Sequence, residues 1–164
     1  MTPAMLSQIL RDVTTEVLTD TGSPCQVDAN PSRVWEDDVL EARISIAGPV
    51  HGWFSLAATH GAGATLAGNM LGLLPSSQEA SDSSLEAVAE IANMVAGRAA
   101  EKWFGPDGSW RMDPPIAAVW SPGTFTARAP DVSARVCFST PEGEPIVATA
   151  FLQGGHTTFT GPAA

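Results

Sequence analysis

The chain has 164 residues, of which 44% are hydrophobic and 16% charged, and a formal net charge of -10. That length suits one domain, and the composition can fill a core, which excludes global disorder. The negative charge argues against contact with a nucleic-acid backbone or an anionic membrane surface, and leaves a protein partner or a small ligand.

Met5, Ile9, Val13 and Val17 recur at steps of four, with Leu6, Leu10 and Leu18 beside them. This spacing predicts an N-terminal amphipathic helix, ended by Thr21-Gly22-Ser23-Pro24. No continuous apolar run follows a basic start, so no signal peptide is expected. The apolar stretches are far shorter than the ~20 residues that span a bilayer, and a cytoplasmic protein is expected.

An extended piece around residues 25–28 leads to a turn at Ala29-Asn30-Pro31-Ser32. Residues 39–46 and 50–56, joined by Gly48-Pro49, read as a hairpin. His60-Gly61-Ala62-Gly63-Ala64 then connects to a helix over residues 65–74, stopped by Pro75-Ser76-Ser77. A polar, acidic stretch over 78–84 precedes the longest helix, which runs to about Trp103 and ends at Gly105-Pro106-Asp107-Gly108. Residues 116–120, 132–139 and 146–152 read as strands, separated by Ser121-Pro122-Gly123 and Pro141-Glu142-Gly143-Glu144. The tail from Gly161 is expected to fray. Short turns favour antiparallel pairing. The order implies an α+β sandwich: one domain, with its core over about residues 4–152, whose helices cover one face of a mostly antiparallel sheet.

On a helical wheel of the longest helix, Leu85, Val88, Ala92, Val95, Ala96, Ala99 and Trp103 form the core face. Glu86, Glu90, Asn93 and Gly97, spaced four, three and four, stand in one row nearly opposite. Each member also has an ordinary explanation. Ser83 and Glu86 match a capping box, and Glu90 can be a solvated carboxylate. Asn93 and Gly97 are harder to account for, because asparagine is a weak helix former and glycine costs ~1 kcal/mol against alanine in a helix interior. Two unfavourable residues on one exposed row point to a contact surface, with Glu86 and Gly97 as partner-binding positions.

Glu90-Ile91-Ala92-Asn93-Met94-Val95-Ala96-Gly97-Arg98 resembles the signature of the CheX-like chemotaxis phosphatases, part of the wider CheC/CheX/FliY group. Met112-Asp113-Pro114-Pro115-Ile116 resembles the family's paired prolines entering a strand. Gly48-Pro49-Val50-His51-Gly52-Trp53, Ala67-Gly68-Asn69-Met70-Leu71-Gly72 and Phe138-Ser139-Thr140-Pro141-Glu142-Gly143-Glu144 fit the same layout. The resemblance implies a CheC/CheX-like sandwich that removes the phosphoryl group from the aspartyl phosphate of a CheY-like response regulator. It implies Asn93 as the residue that orients the attacking water. Glu90 would pair with the regulator's active-site lysine. The chain itself would bind no cofactor or metal, Mg²⁺ being held by the regulator. A homodimer paired through its sheets is also implied.

Some members carry two copies of the motif. Here the earlier candidate has Asn69 but Leu66 in place of the glutamate, so one site per chain is expected. Two other readings stay open. One is a non-catalytic module of the same fold that binds a regulator or signalling partner. The other is a ligand-binding or structural domain whose polar row is simply solvated. Gly61-Ala62-Gly63 lacks a P-loop lysine. His51, His60 and His156 share no metal-ligand spacing, and neither Cys25 nor Cys137 belongs to a CxxC pair. Trp35, Trp53, Trp103, Trp110 and Trp120 are read as core or edge-packing residues.

Overall fold

In the computed structural model, which describes residues 2–28, 35–106, 108–127 and 132–154, the chain opens with helix α1 (Pro3–Asp20). Thr2 caps it by accepting a hydrogen bond from the Met5 amide at 3.2 Å, and Pro3 occupies the first turn, where its missing N–H costs nothing. The buried stripe is Leu6, Leu10, Val13 and Val17, while Met5 is 55% exposed. The expected line through Met5 and Ile9 is therefore rotated by one position. Repeated steps of four drift around a 3.6-residue helix, and the core selects the line that steps four, three, four.

Strand β1 (Gln26–Asp28) follows, then the expected hairpin of β2 (Val39–Ala47) and β3 (Val50–Thr59), in register from Val39 opposite Thr59 to Ala47 opposite His51. The intervening turn at residues 29–32 lies outside the described residues, as do Asp107, His156 and the tail.

Helix α2 (His60–Leu71) begins directly at the end of β3, capped by Thr59, which accepts from the Ala62 amide. The stretch expected as a connection is thus the first turn of the helix. Gly63 belongs there for packing reasons. A Cβ at that position would lie 2.6 Å from Leu40 Cδ1 and 3.0 Å from Ser84 Cβ, so a larger residue would press on both neighbours and glycine lets α2 sit close to them. The helix ends at Gly72 (φ +68°), earlier than the proline expected to stop it.

The polar stretch after it contains a short helix, α3 (Gln78–Asp82), which runs into α4 (Ser84–Phe104). The expected capping box is absent. Ser83 has φ -92° and ψ 2°, close to helical, and its N–H bonds Glu79 O. An extended backbone is what aims a capping hydroxyl at the next amides, and Ser83 makes no side-chain cap bond. Gly105 (φ +79°) ends α4 as the sequence suggests.

Strands β4 (Arg111–Met112) and β5 (Ile116–Trp120) come next, then a short helix α5 (Pro122–Ala127) where a plain turn was expected, then β6 (Ala134–Ser139) and β7 (Pro145–Gly154). Among the described residues seven strands form one sheet in the order β1-β6-β7-β3-β2-β4, with β5 also on β2, and every pairing is antiparallel. Leu10, Val13 and Val17 of α1, Leu66 of α2 and Val88, Ile91 and Val95 of α4 meet Leu40, Ile44, Phe54, Leu56 and Ile146 of the sheet in one core. The architecture is the α+β sandwich the element order implies. On the other face Arg43 pairs with Glu41 at 3.0 Å and lies 4.3 Å over the Trp53 ring, which stacks on Phe151. Of the tryptophans, Trp103 is buried and the other four are half-buried.

Candidate functional site on helix α4

Helix α4 lies between α1 and α2 on the sheet, so it buries more than one stripe: Ala87, Val88, Ile91, Ala92, Val95, Ala96, Ala99, Ala100 and Trp103. The alanines keep its surface low enough for two helical neighbours to close on it. Leu85, expected in the core, is only half-buried against it.

What remains open on α4 is a narrow strip that includes the predicted row. Glu86 and Glu90 are exposed, and Asn93 and Gly97 are half-buried. None of the Glu86, Glu90 or Asn93 side chains has a hydrogen bond or ion pair among the described residues. An asparagine carboxamide half-buried in mid-helix, with its donors and acceptor unspent inside the chain, is available to a molecule outside it. A Cβ at Gly97 would meet only Met112 Cε, at 3.7 Å, an ordinary contact. Packing within the chain therefore does not require glycine there.

The cations of α4 are engaged with α1. Arg98, inside the signature stretch, binds Glu16 at 2.9 Å and Asp20 at 2.8 Å across to α1, and Lys102 lies 3.7 Å from Glu16. The hydrogen bond to Asp20 is the largest influence holding the Arg98 guanidinium even more firmly protonated than usual. Those cations are turned to α1, and Glu86 and Glu90 stand on the open strip with no ion pair among the described residues.

Beside that strip a groove of about 280 Å³ runs between α4 and the end of α2, with Ala67, Met70, Leu71 and Ala87 among its lining and Glu86 and Glu90 on it. Sequence reading missed Met70 and Leu71, because nothing in local spacing tells which side of α2 faces α4. Asn69, on the same helix, is engaged: its Nδ2 donates to Ser23 Oγ at 2.9 Å. Leu66, where a paired motif would need a glutamate, is fully buried.

His60 Nε2 lies 2.8 Å from Ser81 Oγ, tying the start of α2 to α3. Cys25 is half-buried and Cys137 buried. Among the described residues no group of three or more His, Cys, Asp or Glu side chains is placed to hold a metal ion, and no helix is long and apolar enough to cross a membrane.

The family model of the chemotaxis phosphatase CheX matches residues 40–140, a stretch that holds α2, all of α4 and most of the sheet. No curated protein matches the sequence. Among solved structures, the chemotaxis protein CheX from Vibrio vulnificus is similar with a TM-score of 0.70 at 17% identity, over 93% of this chain and 99% of that one. The chemotaxis protein CheX from Desulfovibrio desulfuricans gives 0.65 at 18% identity, over 91% and 99%. The CheX-CheY-BeF3-Mg complex from Borrelia burgdorferi gives 0.66 at 15% identity, over 89% and 96%. At such identities the likeness is one of fold.

Proposed function

The chain belongs to the CheX chemotaxis phosphatase family, and on that premise we propose that it hydrolyses the aspartyl phosphate of a CheY-like response regulator, with Asn93 and Glu90 as the acting pair. The observation that carries this reading is that both side chains stand three residues apart on the open strip of α4 and have no partner within the described chain.

The chemistry asks little of the phosphatase. Water attacks phosphorus as the bond from phosphorus to the aspartyl oxygen breaks, the carboxylate leaves, and the water's proton departs with the inorganic phosphate. Placing that water in line is the task, and a carboxamide suits it by offering a donor and an acceptor at a fixed separation. Asn93 holds the water. Glu90, one turn earlier, pairs with the regulator's lysine and sets the register of docking. Glu86 and Gly97 extend the same contact surface, with Gly97 allowing close approach to the helix backbone. The Borrelia burgdorferi complex joins a CheX to CheY with BeF3 and magnesium, and by analogy the regulator holds the Mg²⁺ that offsets charge on the phosphoryl group.

The working form is taken to be a cytoplasmic homodimer. Strand β5 supports sheet pairing, since β2 is its one neighbour among the described residues and Ile116 and Val119 stand exposed on it.

The test is phosphate release from phosphorylated regulators of the same organism with Mg²⁺, comparing wild type with Asn93→Ala. Acceleration by wild type alone supports the assignment. Tight binding of the regulator without acceleration would replace the phosphatase by a non-catalytic docking module.

A further inference from the structure

We propose that the groove between α2 and α4 is where the response regulator docks, receiving an apolar side chain that stands beside a cation next to the regulator's phosphorylation site. The inference rests on the reading of α4 as the face that meets the regulator, and adds what holds the regulator there.

Three features of the groove select its occupant. Its floor lies over small apolar side chains, Ala67 and Ala87, and its volume of about 280 Å³ admits a side chain from outside. Its wall on α2 is Met70 and Leu71, and Leu71 is 58% exposed at the point where the helix ends. Its side on α4 carries Glu86 and Glu90, one turn apart and without partners among the described residues. The cations of α4 are directed to α1 instead, Arg98 onto Glu16 and Asp20 and Lys102 toward Glu16. An occupant that is wholly apolar would leave two carboxylates facing a drier surface with nothing to compensate them. An occupant that is only basic would leave the Met70 and Leu71 wall in water. A segment pairing an apolar side chain with a lysine or arginine satisfies both.

Continuity with the acting pair favours the regulator over other partners. Glu90 lines the groove and also stands three residues before Asn93. A body seated in the groove is therefore registered on Asn93 by a rigid helix. In this division of labour the groove supplies affinity and register, and Asn93 supplies the water.

The test uses the full chain and a regulator activated with beryllofluoride and Mg²⁺ for binding, or phosphorylated for turnover. Leu71→Ser and Glu86→Lys change exposed positions, and an unshifted melting temperature verifies that each still folds. Each is expected to weaken binding and raise KM by about tenfold, with kcat at saturating regulator near the wild-type value. Asn93→Ala should show the opposite split, with kcat lost and binding kept. Wild-type binding and KM in both groove variants would overturn the proposal. So would a self-associating protein that becomes monomeric on Leu71→Ser while still binding regulator, since the occupant would then be a second copy. If wild type binds without releasing phosphate and the groove variants lose that binding, the docking site stands and the catalytic reading fails. If wild type neither binds nor hydrolyses any regulator of its organism, both fall.

Discussion

Asn69 Nδ2 donates to Ser23 Oγ at 2.9 Å, and this bond separates two asparagines that lie in similar-looking helical stretches. Asn69 spends its carboxamide on holding α2 to the loop after α1. Asn93 spends nothing within the described chain. Their substitutions should therefore differ in kind. Asn69→Ala is expected to cost about 1 kcal/mol of stability and leave phosphate release intact. Asn93→Ala should melt within a degree or two of wild type and lose roughly 10²-fold or more in turnover. Paired melting curves and phosphate-release assays decide it, and the assignment fails if Asn93→Ala remains fully active.

Glu90→Ala should act mainly on docking. Removing one carboxylate from the open strip takes away its pairing with a regulator cation, so KM should rise by about tenfold or more. The salt dependence of KM should shrink as well, because the lost attraction is the part that ions screen. Unaltered KM across a salt series would remove Glu90 from the interface.

Gly97→Ala separates stability from function. A Cβ there meets only Met112 Cε at 3.7 Å, so the alanine fits. Helix propensity should then add about 1 kcal/mol of stability, a rise of roughly 2–4 °C in Tm for a chain of this size. If a regulator approaches the backbone at Gly97, phosphate release should fall in the same variant. A stabilised variant with undiminished release would make Gly97 a neutral position.

Val95 is fully buried in the core between α4 and the sheet. Val95→Asp should abolish cooperative unfolding, because among the described residues the cluster around it is apolar and holds no cation to compensate a carboxylate. A soluble variant with a sharp melt would mean that α4 is rotated relative to the arrangement described.

Burial, and then the charge of Glu142, push the Cys25 thiol up to about 11 from its ordinary 9.0. The fold thus favours the protonated thiol. Its contribution to stability is complete below about pH 9 and is lost as pH rises through about 11. Denaturant midpoints of wild type and Cys25→Ala should run parallel up to pH 9, with wild type falling faster above it. The same raised value makes Cys25 a slow target for alkylation at neutral pH.

Much of the architecture is legible in the residues alone. The hairpin of β2 and β3, the extent of α4 and the strands of the last third follow from alternation, apolar spacing and Gly-Pro punctuation, all of which are local signals. The row of Glu86, Glu90, Asn93 and Gly97 is likewise set by periodicity, because residues spaced four, three and four share a side of any α-helix wherever that helix is packed. Local signals could not show that Ser83 is a junction between two helices and not a cap, since its backbone angles depend on α3 being there. Nor could they choose Leu6 over Met5 as the inward edge of α1, a choice made by the neighbours that cover it. Ser23 stands 46 positions from Asn69, and only the folded chain brings them together and leaves Asn93 unengaged. The groove has the same origin. Met70 and Leu71 become its wall because Gly63 lets α2 close against Leu40 and Ser84, a contact that no spacing within either helix encodes.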